Sequence, residues 1–250
     1  MDINEGISML NRVIRFYAVM AIFAFGAVAS SASMAAAVLS ASVGGAPVGA
    51  GIYKNFDGLP AAGGVAGNGI TVTFNGTGAG AIALPDAPGL YAAPFISGSN
   101  GASFGDPQAN GRDGTQYLTT GIGEVTLQLD GPNQYFGLLW GSVDDYNTLS
   151  FYNGATLLFS FTGHDVDPLA NGNQGAAGTF YVNINSDASF DRVVASSTQY
   201  GFEFDNVALA VNPHSPLNIS PIPEPESYAM LLAGLAMVGA MVRRRTVQTH

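Results

Sequence analysis

Between Ile70 and Val211 apolar side chains recur at every second position in short runs, and clusters of Gly, Asn, Asp and Pro separate the runs. A period of two belongs to strands with one buried face; a helix needs apolar residues at i, i+3, i+4 and i+7. Val125, Leu127 and Leu129 alternate with Thr126 and Gln128, and Phe180, Val182 and Ile184 alternate with Tyr181 and Asn183. Phe202 and Phe204 flank Glu203, and Ile70–Phe74, Gln116–Thr119, Tyr135–Trp140, Phe190–Ala195 and Val207–Val211 have the same character. Tyr135–Trp140 is apolar at nearly every position, as a central strand would be, so Trp140 is expected in the core rather than on a ligand platform. No amphipathic helical pattern interrupts these runs. About ten short strands joined by glycine-rich turns predict an all-β chain, a single β-sandwich or jelly-roll-like domain over residues 38–211.

One hairpin allows a register to be stated. Leu149, Phe151, Leu157, Phe159 and Phe161 should all face the core. A two-residue Asn153-Gly154 turn would set Ser150 against Leu157 and put the apolar sets on opposite faces. A three-residue Tyr152-Asn153-Gly154 loop pairs Phe151 with Ala155 and Leu149 with Leu157, and its last residue is the glycine that a G1 bulge needs. The three-residue loop is the expected one. Residues 163–178 should form a long polar loop.

Composition closes several alternatives. The 250 residues include 33 glycines without a three-residue period, and the 15 Phe and 10 Tyr supply a core that a disordered chain would lack. There is no cysteine, which removes disulfides, thiolate metal sites and cysteine nucleophiles together. Eight basic residues stand against 18 acidic ones, a net charge of −10. Residues 38–211 hold only Lys54, Arg112 and Arg192 as cations, so no nucleic-acid partner is expected.

The two ends have a different chemistry from the middle. Arg12 and Arg15 precede the apolar run Phe16 to Ala29, and small residues follow through Ala37. A basic start, a short apolar stretch and a small-residue exit make residues 1–37 a secretory signal peptide, forming a signal helix handled by the Sec translocon and signal peptidase. At the other end, residues 212–222 form a linker. Pro223-Glu224-Pro225 then opens a segment that carries no charge from Tyr228 to Val242 and closes on Arg243, Arg244 and Arg245; residues 246–250 are a short tail. As a helix, 228–242 spans roughly 22 Å, short of a ~30 Å hydrocarbon core, and snorkelling arginines can cover the difference. Arginines at both ends should stay cytoplasmic, which puts the residues between them outside.

The stretch Pro223-Glu224-Pro225-Glu226-Ser227-Tyr228-Ala229-Met230-Leu231-Leu232-Ala233-Gly234-Leu235, with the arginine cluster behind it, closely resembles the PEP-CTERM sorting signal, here spanning 223–245. The resemblance implies a Gram-negative host, processing near Pro223-Glu224-Pro225 by an exosortase, and a membrane stop at Arg243, Arg244 and Arg245. It also implies a transient inner-membrane intermediate, then residence at the cell surface or in the extracellular, exopolysaccharide-rich matrix. The Phe136–Asp144 and Phe204–Val207 stretches resemble exosortase-dependent surface proteins more loosely, which again implies location rather than activity.

Candidate chemistry in the middle is sparse. Glu203 and Asp205 share a strand face, as a glycosidase acid pair would. The jelly-roll glucanase pattern would need a third acid at position 208, which is Ala208. Asp205-Asn206-Val207 is similar to the closing strand of carbohydrate-binding jelly rolls. That resemblance implies a structural calcium ion held by Asp205, with Asp57 near the first strand as partner; the alternative for both is a solvated acid. Asp144 and Asp145 are adjacent and expected in a turn, and His164-Asp165-Val166-Asp167 in a surface loop. The expected function is a structural surface or matrix protein without catalytic activity. The alternatives are a carbohydrate-binding module retaining matrix polysaccharide and, more distantly, a glycoside hydrolase.

Overall fold

The computed structural model describes residues 35–213 apart from 50, 99, 106 and 107. These residues belong to one compact unit that starts at Ala35. It is mostly β. The strands are β1 (Ala37–Ser42), β2 (Ile52–Lys54), β3 (Gly64–Gly67), β4 (Ile70–Thr77), β5 (Gly80–Ile82), β6 (Phe95–Ile96), β7 (Gly111–Arg112) and β8 (Tyr117–Thr119). They continue with β9 (Ile122–Gly141), β10 (Asn147–Asn153), β11 (Thr156–Thr162), β12 (Phe180–Ser197) and β13 (Glu203–Ala210). One helical turn, α1 (Gly163–Val166), follows β11. Among the described residues no helix is long and apolar enough to cross a membrane. The expected tail helix 228–242 and most of the signal segment 1–37 lie outside them.

Eleven strands form one antiparallel network in the order β11-β10-β12-β9-β13-β8-β5, with β1 on β12, β2 on β13, β4 on β9 and β3 on β4. β6 and β7 make a separate pair. The network has two arms joined through its two longest strands. In one arm, Phe180–Asn185 of β12 pairs with Tyr135–Trp140 of β9, with β1 and β13 outside them. In the other, Arg192–Ser197 pairs with Gly123–Gln128, with β10 and β4 outside.

The runs expected as ten short strands are partly fused. Gly131-Pro132-Asn133, read from sequence as a turn signal, lies inside β9, and the register between β9 and β12 shifts on both sides of the Phe190–Asn133 pair. Those irregularities reverse the parity of burial. Val125, Leu127 and Leu129 are buried before them and Phe136, Leu138 and Trp140 after them; on β12, Val182 and Ile184 give way to Val193 and Ala195. All ten side chains join one apolar cluster. Bulges bend a strand and raise its twist. Here matched irregularities on neighbouring strands keep both arms facing the same core.

Aromatic side chains fill that core. Phe136, Phe151 and Phe190 meet edge to face, with ring centroids 5.0–6.5 Å apart. Trp140 is fully buried and stacks on Phe202 at 4.3 Å, which settles its role as packing. Offset and edge-on pairs of this kind add about 0.5–1.5 kcal/mol beyond area burial.

The β10–β11 hairpin corrects the expected register. Asn153 pairs with Thr156, leaving Gly154-Ala155 as the tip, and the register shifts between Phe151 and Tyr152. Gly154 takes φ +57, the left-handed conformation that primed two-residue turns require. Leu158 is the extra residue. It lets Phe151 oppose Phe159 and Leu149 oppose Phe161, while Leu157 turns outward at 45% exposure. Both registers weighed from sequence kept a uniform count along β11. A bulge inside the strand satisfies the apolar face instead.

Candidate functional site

β13 starts at Glu203, opposite Gly141 of β9 on one side and Thr119 of β8 on the other. Farther along, the outer partner changes from β8 to β2, and the register with β9 shifts between Asp205 and Ala208. Asn206 sits in that irregularity with φ +53. Glu203, Asp205 and Asn206 are all fully buried. The expectation that Glu203 and Asp205 share a face agrees with their spacing, but their surroundings differ.

Asp205 looks inward. Its Oδ1 accepts a hydrogen bond from the Phe56 N–H at 3.3 Å. Asp113 lies beside it, also fully buried, and accepts at Oδ1 from the Thr115 N–H (2.9 Å) and hydroxyl (2.6 Å). Neither Asp113 Oδ2 nor Asp205 Oδ2 has a hydrogen-bond partner among the described residues. Burial, then the neighbouring Asp113, pushes the Asp205 carboxyl well above the usual carboxylate range. Desolvation and a neighbouring acid both disfavour the charged form of Asp205.

Asp57, the expected partner of Asp205, is exposed and otherwise engaged. Its Oδ1 accepts from the Gln116 N–H at 3.1 Å and its Oδ2 from the Asn55 side-chain amide at 3.0 Å. The structure does bring the Asn55-Phe56-Asp57 segment to the closing strand, since β2 pairs with β13, but through the Phe56 backbone. Calcium takes six to eight oxygens. Among the described residues no group of three or more His, Asp or Glu side chains is placed to hold a metal ion, so the fit to calcium is poor.

Glu203 looks outward into a cleft of about 270 Å³ at one end of the strands. Four loop segments converge there: 89–92 after β5, 142–146 between β9 and β10, 171–174 after α1, and 200–201 before β13. Glu203 Oε1 accepts from the Ala92 N–H at 3.3 Å. Ser142 lies beside the carboxyl at φ +48, but Ser142 Oγ and Glu203 Oε2 are buried with no completed hydrogen bond among the described residues. Burial pushes Glu203 up to about 8; the Ala92 N–H and the Ser142 hydroxyl oppose the shift, and the charge of Asp144 adds to it. Burial therefore favours the protonated form of Glu203.

Asp144, also in the cleft, accepts from the Tyr146 hydroxyl at 2.5 Å. Partial burial raises its pKa against that bond, and Asp145 adds to the rise. Gly172 packs on the same carboxyl: it has φ +66, and a β-carbon there would come within 2.4 Å of Asp144 Oδ2. The turn expected at Asp144-Asp145 is present, closed by the Asn147 N–H donating to the Asp144 carbonyl. Tyr91, Tyr146 and Tyr200 are half-buried around the cleft, and no Lys, Arg or His lines it among the described residues. Tyr117, fully buried, feels both acid sites, since after burial itself the charges of Glu203 and Asp113 are among the causes that raise its hydroxyl.

The expected loop group His164-Asp165-Val166-Asp167 is a helix start rather than a site. Asp165 Oδ2 accepts from the Thr162 N–H and hydroxyl, a capping arrangement that opens α1. Sequence reasoning paired Glu203 with Asp205; the structure pairs Glu203 with Ser142 and Asp144, and Asp205 with Asp113. Asp144 was visible as turn chemistry only, and Asp113 was not singled out. Nothing in their spacing pointed to β13.

Together, fold and site define a β-rich protein with a polar cleft at one end that no cation lines among the described residues. Residues 221–245, in the tail, match the PEP-CTERM protein-sorting motif, so the chain carries a PEP-CTERM sorting signal. The match takes in Pro223, Glu224, Pro225, Arg243, Arg244 and Arg245, all outside the described residues. The motif implies an exported protein processed by an exosortase at the membrane. Comparison with curated proteins and with solved structures found no match.

Proposed function

We propose that this chain is a structural component of the cell surface or extracellular matrix, without catalytic activity, built as a single β-sandwich domain over residues 38–211. The signal peptide 1–37 takes it through the Sec translocon and is removed by signal peptidase. The tail then holds it in the inner membrane of a Gram-negative cell, with Arg243, Arg244 and Arg245 on the cytoplasmic side. Exosortase processing at Pro223-Glu224-Pro225 completes export. The motif at 221–245 is the single observation that carries this reading. The two-arm strand network around one shared core supports the sandwich.

Intact mass of the protein recovered from the surface tests it. The expected mass lacks both the signal segment and the residues that follow Pro223-Glu224-Pro225. Joint replacement Pro223→Ala, Glu224→Ala and Pro225→Ala should leave the tail attached and the protein in the membrane fraction. A surface protein that retains residues 228–245 would refute processing, and a reporter fused near Asn110 that works only in the cytosol would refute export.

A carbohydrate-binding module that retains matrix polysaccharide is the second reading, favoured by the cleft at Glu203. A hydrolase would need Glu203 and Asp144 as its acids. Polysaccharide turnover lost on Glu203→Gln would establish that in place of a purely binding role.

A further inference from the structure

Three buried features remain unused by the export reading: the Asp113–Asp205 pair, the small apolar recess beside Leu129 and Leu209, and the Glu203 cleft. The first is sealed, and among the described residues no group of three or more His, Asp or Glu side chains is placed to hold a metal ion. The second is about 140 Å³ and presents little polar surface to orient a ligand. The cleft differs from both, because it combines an open mouth with a polar floor at Glu203 and Ser142.

We propose that the cleft floored by Glu203 and Ser142 and walled by Tyr91, Tyr146 and Tyr200 binds a neutral, hydroxyl-rich saccharide, one or two rings at a time. This rests on the carbohydrate-binding reading and names its site and ligand class.

Four observations exclude the other ligand classes. Its volume of about 270 Å³ lies at the small end of ligand pockets, which run to about 300–1,000 Å³. No cation lines it among the described residues, so a phosphate, sulfate or uronate would meet the Asp144 carboxyl with no counter-charge. A metal ion would need a cluster of acids that is absent among the described residues. An apolar ligand would leave Glu203 Oε2 and Ser142 Oγ buried without partners, at a cost of about 1–3 kcal/mol each.

A saccharide meets each requirement. A protonated carboxyl and a serine hydroxyl side by side each donate and accept, which matches two neighbouring hydroxyls of a sugar ring. The side-chain amides of Asn171 and Gln174 offer the same bivalence at the exposed edge. Tyrosine rings present an apolar face to the C–H side of a sugar while the phenol stays wet.

The test uses the full chain in a detergent without a sugar headgroup, and saturation-transfer NMR with titration calorimetry at pH 6.5. Probes are the neutral trisaccharides maltotriose, cellotriose, mannotriose and tri-N-acetylchitotriose, and the anionic trigalacturonate. Saturable binding of at least one neutral probe is expected, weakened about tenfold by Tyr200→Ala and several-fold by Gln174→Ala, whose side chain is exposed. Val65→Ser, at a 79% exposed position of β3, should change nothing. Neutral binding indifferent to both cleft variants overturns the site and leaves the carbohydrate reading standing. Equal or tighter binding of trigalacturonate overturns the ligand class. Failure of every probe to bind overturns the site and that reading together.

Discussion

Glu203 and Asp205 stand two residues apart on β13, both fully buried and both with raised pKa values, yet they do opposite things. Asp205 accepts from the Phe56 N–H at one oxygen and lies beside a second buried acid, Asp113. Glu203 spends one oxygen on the Ala92 N–H and keeps the other aimed at a cleft with nothing to bond. The strand supplies the same chemistry twice. What converges from other loops makes one acid a tie within the fold and leaves the other available to a ligand.

The largest test of this contrast is pH. An acid whose folded pKa lies above its unfolded value binds more protons when folded. Its stabilising contribution is complete below the unfolded pKa and is lost as pH rises through the folded one. For Glu203, between the ordinary 4.5 and about 8, that loss is on the order of 4–5 kcal/mol. Urea midpoints at pH 5, 6.5 and 8 should fall steadily, and Glu203→Gln should flatten the part of the fall that belongs to the cleft. The slope that persists in Glu203→Gln reports Asp205, which shifts in the same direction. A stability curve that rises from pH 5 to 8 would break the comparison for both acids.

Next in size is the sealed site itself. Asp205→Ala strips the Phe56 N–H of its acceptor and should cost about 2–4 kcal/mol in denaturant unfolding. Asp205→Asn keeps an acceptor for Phe56 and offers a donor to Asp113, so it should stay within about 1 kcal/mol of the native protein. Equal losses in the two variants would mean that the acceptor for the Phe56 N–H is not what holds the site.

On the cleft side, Gly172→Ala forces a side chain onto a φ of +66 and against Asp144, and should cost about 1–3 kcal/mol by thermal unfolding. Tyr146→Phe removes only the hydroxyl that serves Asp144, and about 0.5–1.5 kcal/mol is expected. The smallest effect belongs to the corrected hairpin. Leu157→Ser should change stability by no more than about 0.5 kcal/mol, because the bulge at Leu158 has turned Leu157 toward water. A loss of 2 kcal/mol or more there would restore the core-facing assignment.

Much of the strand content could be read residue by residue. Val125–Leu129, Tyr135–Trp140, Phe180–Ile184 and Phe190–Ala195 all fall in strands, because period-two alternation is a local property that burial on one face imposes directly. Their continuity could not be read. Gly131-Pro132-Asn133 has the composition of a turn, and only neighbouring strands decide whether such a break ends a strand or bends it. β1 was also missed: Ala37–Ser42 sits where small residues read as the exit of a signal peptide, and its pairing with β12 lies about 140 residues away.

The candidate site was legible by half. Glu203 stood out as an acid between two buried aromatics. Its companions did not, because Ser142 and Asp144 lie some 60 residues earlier in a turn whose composition is ordinary.

By itself the sequence determined where strands form and where the chain is addressed. Alternation, the uncharged apolar segments and the flanking arginines act within one strand, one helix or one tail, so a few neighbouring residues suffice. Tertiary structure alone decided which acid faces which partner, which turn signal became a bend, and that four loops enclose a cleft that no cation lines among the described residues. Those outcomes depend on backbones far apart in the chain meeting within a few ångströms, and no short stretch of residues carries that information.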